Sequence, residues 1–168
     1  MPDDLFAKIE TYISTADSFL ARVQDENNPE ADYDVKDLFT RSLVMIIVSE
    51  YESYIESIFA TRIESCKDAG VINIAKKHLD RRFRSPDLKK INEILGLFGE
   101  TIKDAFISST NIDGINASWD NIMKARHAIV HKQGTLQLSY EDAKSEYFKT
   151  KKVISGICEA LVSTDVDT

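Results

Sequence analysis

A stretch of 35 residues, from Val35 to Ala69, contains neither glycine nor proline, and it constrains the fold more than any other feature. Because those two residue types weaken or end helices, their absence predicts one long helix, with Gly70 as its stop. The middle of the stretch, "LVMIIV" (43–48), is apolar on every side of a helix. A helix of that character belongs at the centre of a bundle.

The rest of the chain also carries helical patterns. Apolar residues recur every three or four positions from Leu5 to Val23, which predicts an amphipathic first helix, and Asp34 is placed to cap the long second one. "NIDG" (111–114) marks a turn. A short helix is predicted over 71–80, and another begins after a Ser85 cap with Pro86 at its first position. A helix over 116–131 is predicted to end at Gly134. The last helix is predicted to run from the capping pair Ser139 and Asp142 to about Val162.

Together these patterns predict an all-α fold, a bundle of four to five main helices with a long central second helix. A chain of 168 residues is most simply one domain, so we expect a single helical domain over 1–168. The longest apolar run has six residues, far short of the ~20 that cross a bilayer. The opening "MPDD" lacks the basic start of a signal peptide, and we expect a cytoplasmic protein without membrane contact.

Two cysteines, Cys66 and Cys158, are too few and too far apart for a disulfide framework, and both are expected to be buried free thiols. The net charge of -7 argues against non-specific coating of nucleic acid. It leaves room for a local basic site.

The segment "KARHAIVHKQG" (124–134) gathers one of the seven arginines and two of the three histidines. Burying an unpaired guanidinium costs several kcal/mol, so Arg126 is expected to have a carboxylate partner or an open, water-filled cleft. Glu50 and Glu52 on the second helix are both candidates for that partner. At about 100° per residue, Arg126 falls near the centre of an apolar face formed by Ile115, Trp119, Ile122, Ile129 and Val130.

The hexapeptide "RHAIVH" (126–131) resembles the R-x4-6-H motif of HEPN domains, small all-α modules of prokaryotic toxin-antitoxin and defence systems that also occur in eukaryotes. Arg126 and His131 match its two fixed positions. His127 stands where the family usually has asparagine or aspartate. The resemblance extends to "YESYIES" (51–57), which is similar to an acidic and aromatic stretch on the second helix of one HEPN branch.

This resemblance implies a metal-independent endoribonuclease without a cofactor. In such an enzyme His131 would transfer protons and Arg126 would hold the phosphate, with His127, Glu50 and Glu52 as further members of the site. The resemblance also implies a homodimer in which two motifs face one cleft, and a toxin or defence effector with an antitoxin or other partner protein. The alternatives are a catalytically silent HEPN-like module that binds RNA or a protein, and an unrelated helical protein.

A basic cluster, "KKHLDRRFRSPDLKK" (76–90), carries a local charge of +5 in this acidic chain. Phosphate contacts with a base stacked on Phe83 would suit RNA binding, whereas the alternative is a solvated corner between helices. The expected RNA contacts are Lys76, Lys77, Arg81, Arg82 and Arg84.

Two other patterns have a second interpretation. His127 and His131 are four residues apart, a spacing that suits a metal ion, but no third ligand follows at a matching spacing and no metal site is predicted. Trp119 could stack on a ligand, although a lone tryptophan at helical spacing is more often part of the core.

Overall fold

The structure, a computed structural model, describes residues 2–23, 29–83, 86–111, 114–131 and 136–162. Regular structure in these ranges is entirely helical, so the all-α prediction is confirmed, but there are seven helices rather than four to five. None of the described helices is both long enough and apolar enough to span a membrane. The helices are α1 (Pro2–Val23), α2 (Pro29–Glu64), α3 (Ala69–Arg82), α4 (Leu88–Phe98), α5 (Glu100–Thr110), α6 (Ile115–Val130) and α7 (Tyr140–Val162).

The long second helix is confirmed, with different bounds. It has 36 residues and begins at Pro29. A first helical turn tolerates proline, because a backbone N–H at that position would have no acceptor within the helix and its absence costs nothing. Asp34 therefore lies inside α2 instead of capping it. Gly70 does not stop α2 but lies in the first turn of α3, where the side chain of Asp68 accepts its backbone N–H at 2.8 Å.

The apolar sequence in the middle of α2 had suggested burial on every side. The structure shows instead that one side is exposed. Leu43, Val44, Ile47 and Val48 are at most 2% exposed, whereas Met45 is 37% exposed. The buried residues follow the spacing of three and four that one face of a helix requires. This part of α2 therefore buries one face and exposes another, although its sequence is apolar on both.

Gly99 accounts for one of the helices beyond the predicted number. Gly99 has φ +154°, a conformation that side-chain-bearing residues rarely adopt, and it separates α4 from α5, which pack against each other. α4 begins after Asp87, whose carboxylate accepts the N–H of Lys89 at 2.8 Å. The predicted Ser85 cap lies outside the described residues.

The predicted start of the last helix is confirmed in detail. The hydroxyl of Ser139 accepts the backbone N–H of Asp142 at 3.1 Å, and the carboxylate of Asp142 accepts the backbone N–H of Ser139 at 3.4 Å. This is the reciprocal arrangement that satisfies the free N–H groups of a helix start. Of the predicted "NIDG" turn, Asn111 and Gly114 are described, and the expected helix end at Gly134 lies outside the described residues.

The described residues form two compact units. The first comprises Met1–Glu50 and Ala117–Lys151. Its core includes fully buried Ile9, Trp119 and Tyr147. Ion pairs at its surface join Lys144 to Asp17 at 2.9 Å and Lys151 to Glu10 at 2.6 Å.

The second unit comprises Tyr51–Asn116 and Lys152–Thr168. Its core is built on fully buried aromatic and aliphatic side chains, among them Tyr51, Phe59 and Leu95. Both cysteines are free thiols, but the prediction that both are buried is wrong. Cys158 is half-buried, with its sulfur 3.7 Å from the Tyr54 hydroxyl, but Cys66 is exposed, because α2 ends at Glu64 and leaves it in the connection to α3.

Candidate functional site at the end of helix α6

Two histidines lie side by side at the end of α6. The ring centroids of His127 and His131 are 4.2 Å apart, and the ring planes are inclined by 49°. The backbone N–H of His131 donates to the carbonyl of His127 at 3.0 Å, so helical geometry continues one residue past Val130. Residues four apart on a helix share a face, which is why the two rings meet.

Both imidazoles are exposed, and neither has a side-chain hydrogen bond or an ion pair with any residue that the structure describes. An imidazole of the core would have to satisfy its polar nitrogens inside the protein. The ring nitrogens of His127 and His131 are instead available to a ligand.

Arg126 is half-buried and follows directly after buried Ala125. The buried face of α6 contains Ile115, Trp119 and Ile122, each at most 3% exposed, but it does not continue to Val130, which is 45% exposed. The predicted apolar face is therefore correct in its first part and wrong in its last turn. Arg126 lies where this face opens to solvent, which spares its guanidinium the cost of full burial.

One of the two predicted carboxylate partners of Arg126 is already paired elsewhere. Glu50 forms an ion pair with Lys8 of α1, and Glu52 is half-buried on α2. Within the described ranges Arg126 forms no hydrogen bond or ion pair through its side chain. The other expectation, an open and water-filled cleft over the guanidinium, stays a prediction, and Arg126 is half-exposed.

The basic cluster is only partly a solvated surface. Lys77 and Arg81 are exposed and, in the part of the chain that is described, form no ion pair. Lys76 is half-buried and paired with Glu64. The side chain of Arg82, together with Arg84, lies outside the described residues.

Phe83 is not available to stack on a base, contrary to the expectation. It is 6% exposed and lies edge-on to Phe59, with ring centroids 5.9 Å apart and planes at 87°. Its backbone N–H donates to the carbonyl of Leu79 at 2.8 Å and closes the end of α3, turning the side chain inward. Trp119 is fully buried, which confirms its assignment to the core.

The pairing of the two imidazoles could have been found from the sequence, because their spacing of four residues is itself the signal. The sequence could not show that the two imidazoles have no hydrogen-bonding or charged partners among the described residues. Among the described residues no three His, Cys, Asp or Glu side chains gather as metal ligands.

These features describe a small all-α module in which Arg126, His127 and His131 lie in the last turns of α6 and just beyond its end. A family model described as RiboL-PSP-HEPN matches residues 7–163, nearly the whole length of the chain. The chain therefore belongs to the RiboL-PSP-HEPN family, as its resemblance to HEPN domains had predicted. Neither the curated proteins nor the solved structures include a significant match. Membership of a HEPN family indicates a nuclease-like or RNA-related module.

Proposed function

We propose that this protein is a metal-independent endoribonuclease whose site consists of Arg126, His127 and His131. The observation that carries the proposal is the pair of exposed imidazoles, 4.2 Å apart and without hydrogen-bonding or charged partners among the described residues, that directly follows Arg126 in the chain. Family membership supports it. Since the family match spans both compact units, we treat residues 1–168 as one functional domain.

The reaction needs two proton transfers. The 2′-hydroxyl of a ribose loses its proton to a general base, and its oxygen attacks the adjacent phosphorus. The bond from phosphorus to the 5′-oxygen breaks, and a general acid protonates that oxygen. The products are a 2′,3′-cyclic phosphate and a 5′-hydroxyl. Histidine suits both steps, because imidazole exchanges protons near neutral pH.

We assign the base to His131, the residue at the fixed position of the motif, and we assign to His127 the second proton transfer. The closeness of the two rings lets both reach the oxygens of one phosphodiester. Glu50 is given no direct part in this mechanism, because it is already paired with Lys8, and no role is assigned to Glu52.

Arg126 is assigned to the phosphate. Its planar guanidinium can donate two parallel hydrogen bonds to phosphate oxygens and stabilise the charge that builds on them. The carboxyl end of a helix carries a partial negative charge, which opposes phosphate binding there. A cation at this position offsets that opposition, and the guanidinium of Arg126 has no competing partner among the described side chains.

One copy presents these groups on an exposed helix end, and we propose that a homodimer encloses the phosphate between two such ends. Mixing Arg126→Ala and His131→Ala proteins tests this arrangement. If each site combines Arg126 of one copy with His131 of the other, random exchange of subunits restores about a quarter of the wild-type rate. Mixtures as inactive as the single variants, or a protein that stays monomeric in light scattering, would contradict a shared site.

The proposed setting is the cytoplasm, in a toxin or defence effector restrained by an antitoxin or another partner protein. Lys77 and Arg81 are exposed and are proposed to contact RNA phosphates, as Lys76, Arg82 and Arg84 were expected to do. The second candidate is a catalytically silent HEPN module that binds RNA or a protein, and the same assay separates the two.

The decisive assay incubates purified protein with single-stranded RNA in EDTA, beside DNA of the same sequence. DNA lacks the attacking 2′-hydroxyl and should stay intact. His131→Ala should lower the rate about 10²–10⁴-fold, while His78→Ala, which removes an exposed histidine of α3, should leave it unchanged. Equal cutting by His131→Ala, or loss of activity in EDTA, would contradict the proposal. RNA that is bound but never cut would favour the silent module.

A further inference from the structure

We propose that His127 and His131 form a two-histidine binding site for a divalent transition-metal ion, such as Zn²⁺, and that the bound ion switches the nuclease off. The inhibition rests on the proposed function. The binding of the ion does not rest on the proposed function, because the metal site is inferred from the positions of the two histidine rings.

The rings are close to the separation that a shared ion requires. With Zn–N bonds of about 2.1 Å and nearly tetrahedral angles, two imidazoles on one Zn²⁺ have ring centroids roughly 5 Å apart. The centroids of His127 and His131 are 4.2 Å apart, so the two side chains would have to turn until one nitrogen of each ring faces the ion. The hydrogen bond from the His131 N–H to the His127 carbonyl holds the backbone in place.

The nitrogens are also available. Both rings are exposed, and neither has a hydrogen-bonding or charged partner within the described part of the chain. Imidazole nitrogen suits zinc, copper and nickel ions, and the partial negative charge at the carboxyl end of α6 favours a cation.

The coordination would be incomplete. Since no third histidine, cysteine or acidic side chain joins the pair among the described residues, water would fill the remaining positions. Structural zinc sites are closed by four protein ligands, so this one is open and exchangeable. An exchangeable ion fits regulation better than folding.

The consequence for the proposed reaction is direct. A metal ion on His131 takes the lone pair that would accept the proton of the ribose 2′-hydroxyl. Coordination of His127 removes the second proton-transfer group at the same time. Mg²⁺, which prefers oxygen ligands, should do neither.

Calorimetric titration of the untagged protein with Zn²⁺ tests the site. We expect one Zn²⁺ ion to bind per chain. His127→Ala or His131→Ala should each raise the dissociation constant at least ~10-fold. Mg²⁺ should not bind at this site. His78→Ala is the matched control, because His78 is an exposed histidine without a neighbouring imidazole in the described residues, and it should bind as the wild type does. The site is overturned if the wild type binds no Zn²⁺, if both paired variants bind normally, or if His78→Ala binds as weakly as they do.

The activity arm uses the same proteins with RNA. Saturating Zn²⁺ should stop cleavage and EDTA should restore it, whereas undiminished cleavage at saturation overturns the switch. If the protein cuts no RNA under any condition, the nuclease proposal fails together with the switch. The calorimetric titration still decides whether the metal site exists.

Discussion

The imidazole rings of His127 and His131 lie 4.2 Å apart, centroid to centroid, at the last turn of a helix that also carries Arg126. None of the three side chains has a hydrogen bond or an ion pair among the described residues. Three ligand-ready groups on one helix end are what the proposed cleavage of a phosphodiester needs. The arrangement also accounts for the concentration of arginine and histidine in so short a segment.

Arg126→Lys should lower the rate of RNA cleavage about 10²–10³-fold. Lysine keeps the positive charge but lacks the planar fork that binds two phosphate oxygens at once. Cleavage rates at saturating RNA measure the effect. Lys124→Ala removes an exposed cation of α6 and is the control, with no loss expected. Full activity of Arg126→Lys would show that a positive charge without the planar fork suffices. An equal loss of activity in Lys124→Ala would show that RNA is attracted by positive charge in general and not by a specific contact of Arg126.

Phe83→Ala should reduce the free energy of unfolding by about 3–5 kcal/mol, because a large buried ring is removed. Phe83 is 6% exposed and packs edge-on against Phe59. Leu97→Ala is the exposed counterpart, at 63% exposure, and should change stability by no more than about 0.5 kcal/mol. Urea unfolding measures both. If the Phe83→Ala protein has normal stability but no longer binds RNA, Phe83 stacks on a base after all.

Gly156→Ala and Ser109→Ala should be strongly coupled. A Cβ at position 156 would lie 2.6 Å from the Ser109 hydroxyl, which donates to the carbonyl of Phe106 at 2.9 Å. Turning that hydroxyl away forfeits a hydrogen bond of about 1 kcal/mol, and the added methyl group also crowds Thr110.

The double variant removes the clashing oxygen, so it should be more stable than Gly156→Ala alone, although Ser109→Ala by itself destabilises. A double-mutant cycle from urea unfolding measures the coupling, expected at about 0.5–3 kcal/mol. Strictly additive effects would show that the two positions do not meet.

Tyr140→Phe should change how stability depends on pH. Burial raises the pKa of the Tyr140 phenol, and a hydrogen bond with Asp17 raises it further. The folded state thus holds this proton above the unfolded pKa of about 10. Its contribution is complete below that pH and is lost as the pH rises towards and through the higher folded pKa.

The hydroxyl also donates to the carbonyl of Ile13 at 3.3 Å, so near neutral pH the phenylalanine variant should be about 1 kcal/mol less stable. Above pH ~10 the difference should shrink. Urea unfolding of both proteins on either side of that pH checks this. A difference that stays constant with pH would mean that Tyr140 titrates alike in both states.

Local patterns in the sequence determined the helical character of the chain and pointed to the segment of its candidate site. The apolar spacing of α1, the glycine- and proline-free stretch inside α2 and the Ser139–Asp142 cap of α7 each depend on residues within a turn or two of one another. The segment 126–131 likewise carried the HEPN resemblance, which the family match confirms. Such features are legible because the residues that decide them are neighbours in the chain.

Only the tertiary structure decided which side chains are buried and which are paired. Glu50 binds Lys8, 42 residues away in sequence, so it is not the partner of Arg126. Phe83 turns inward to Phe59, and Gly99 takes a conformation that splits one helical region into two. Burial and charge pairing depend on segments that are distant in the chain and meet only on folding. For that reason the sequence singled out Arg126, His127 and His131 but could not show that their side chains have no partners among the described residues.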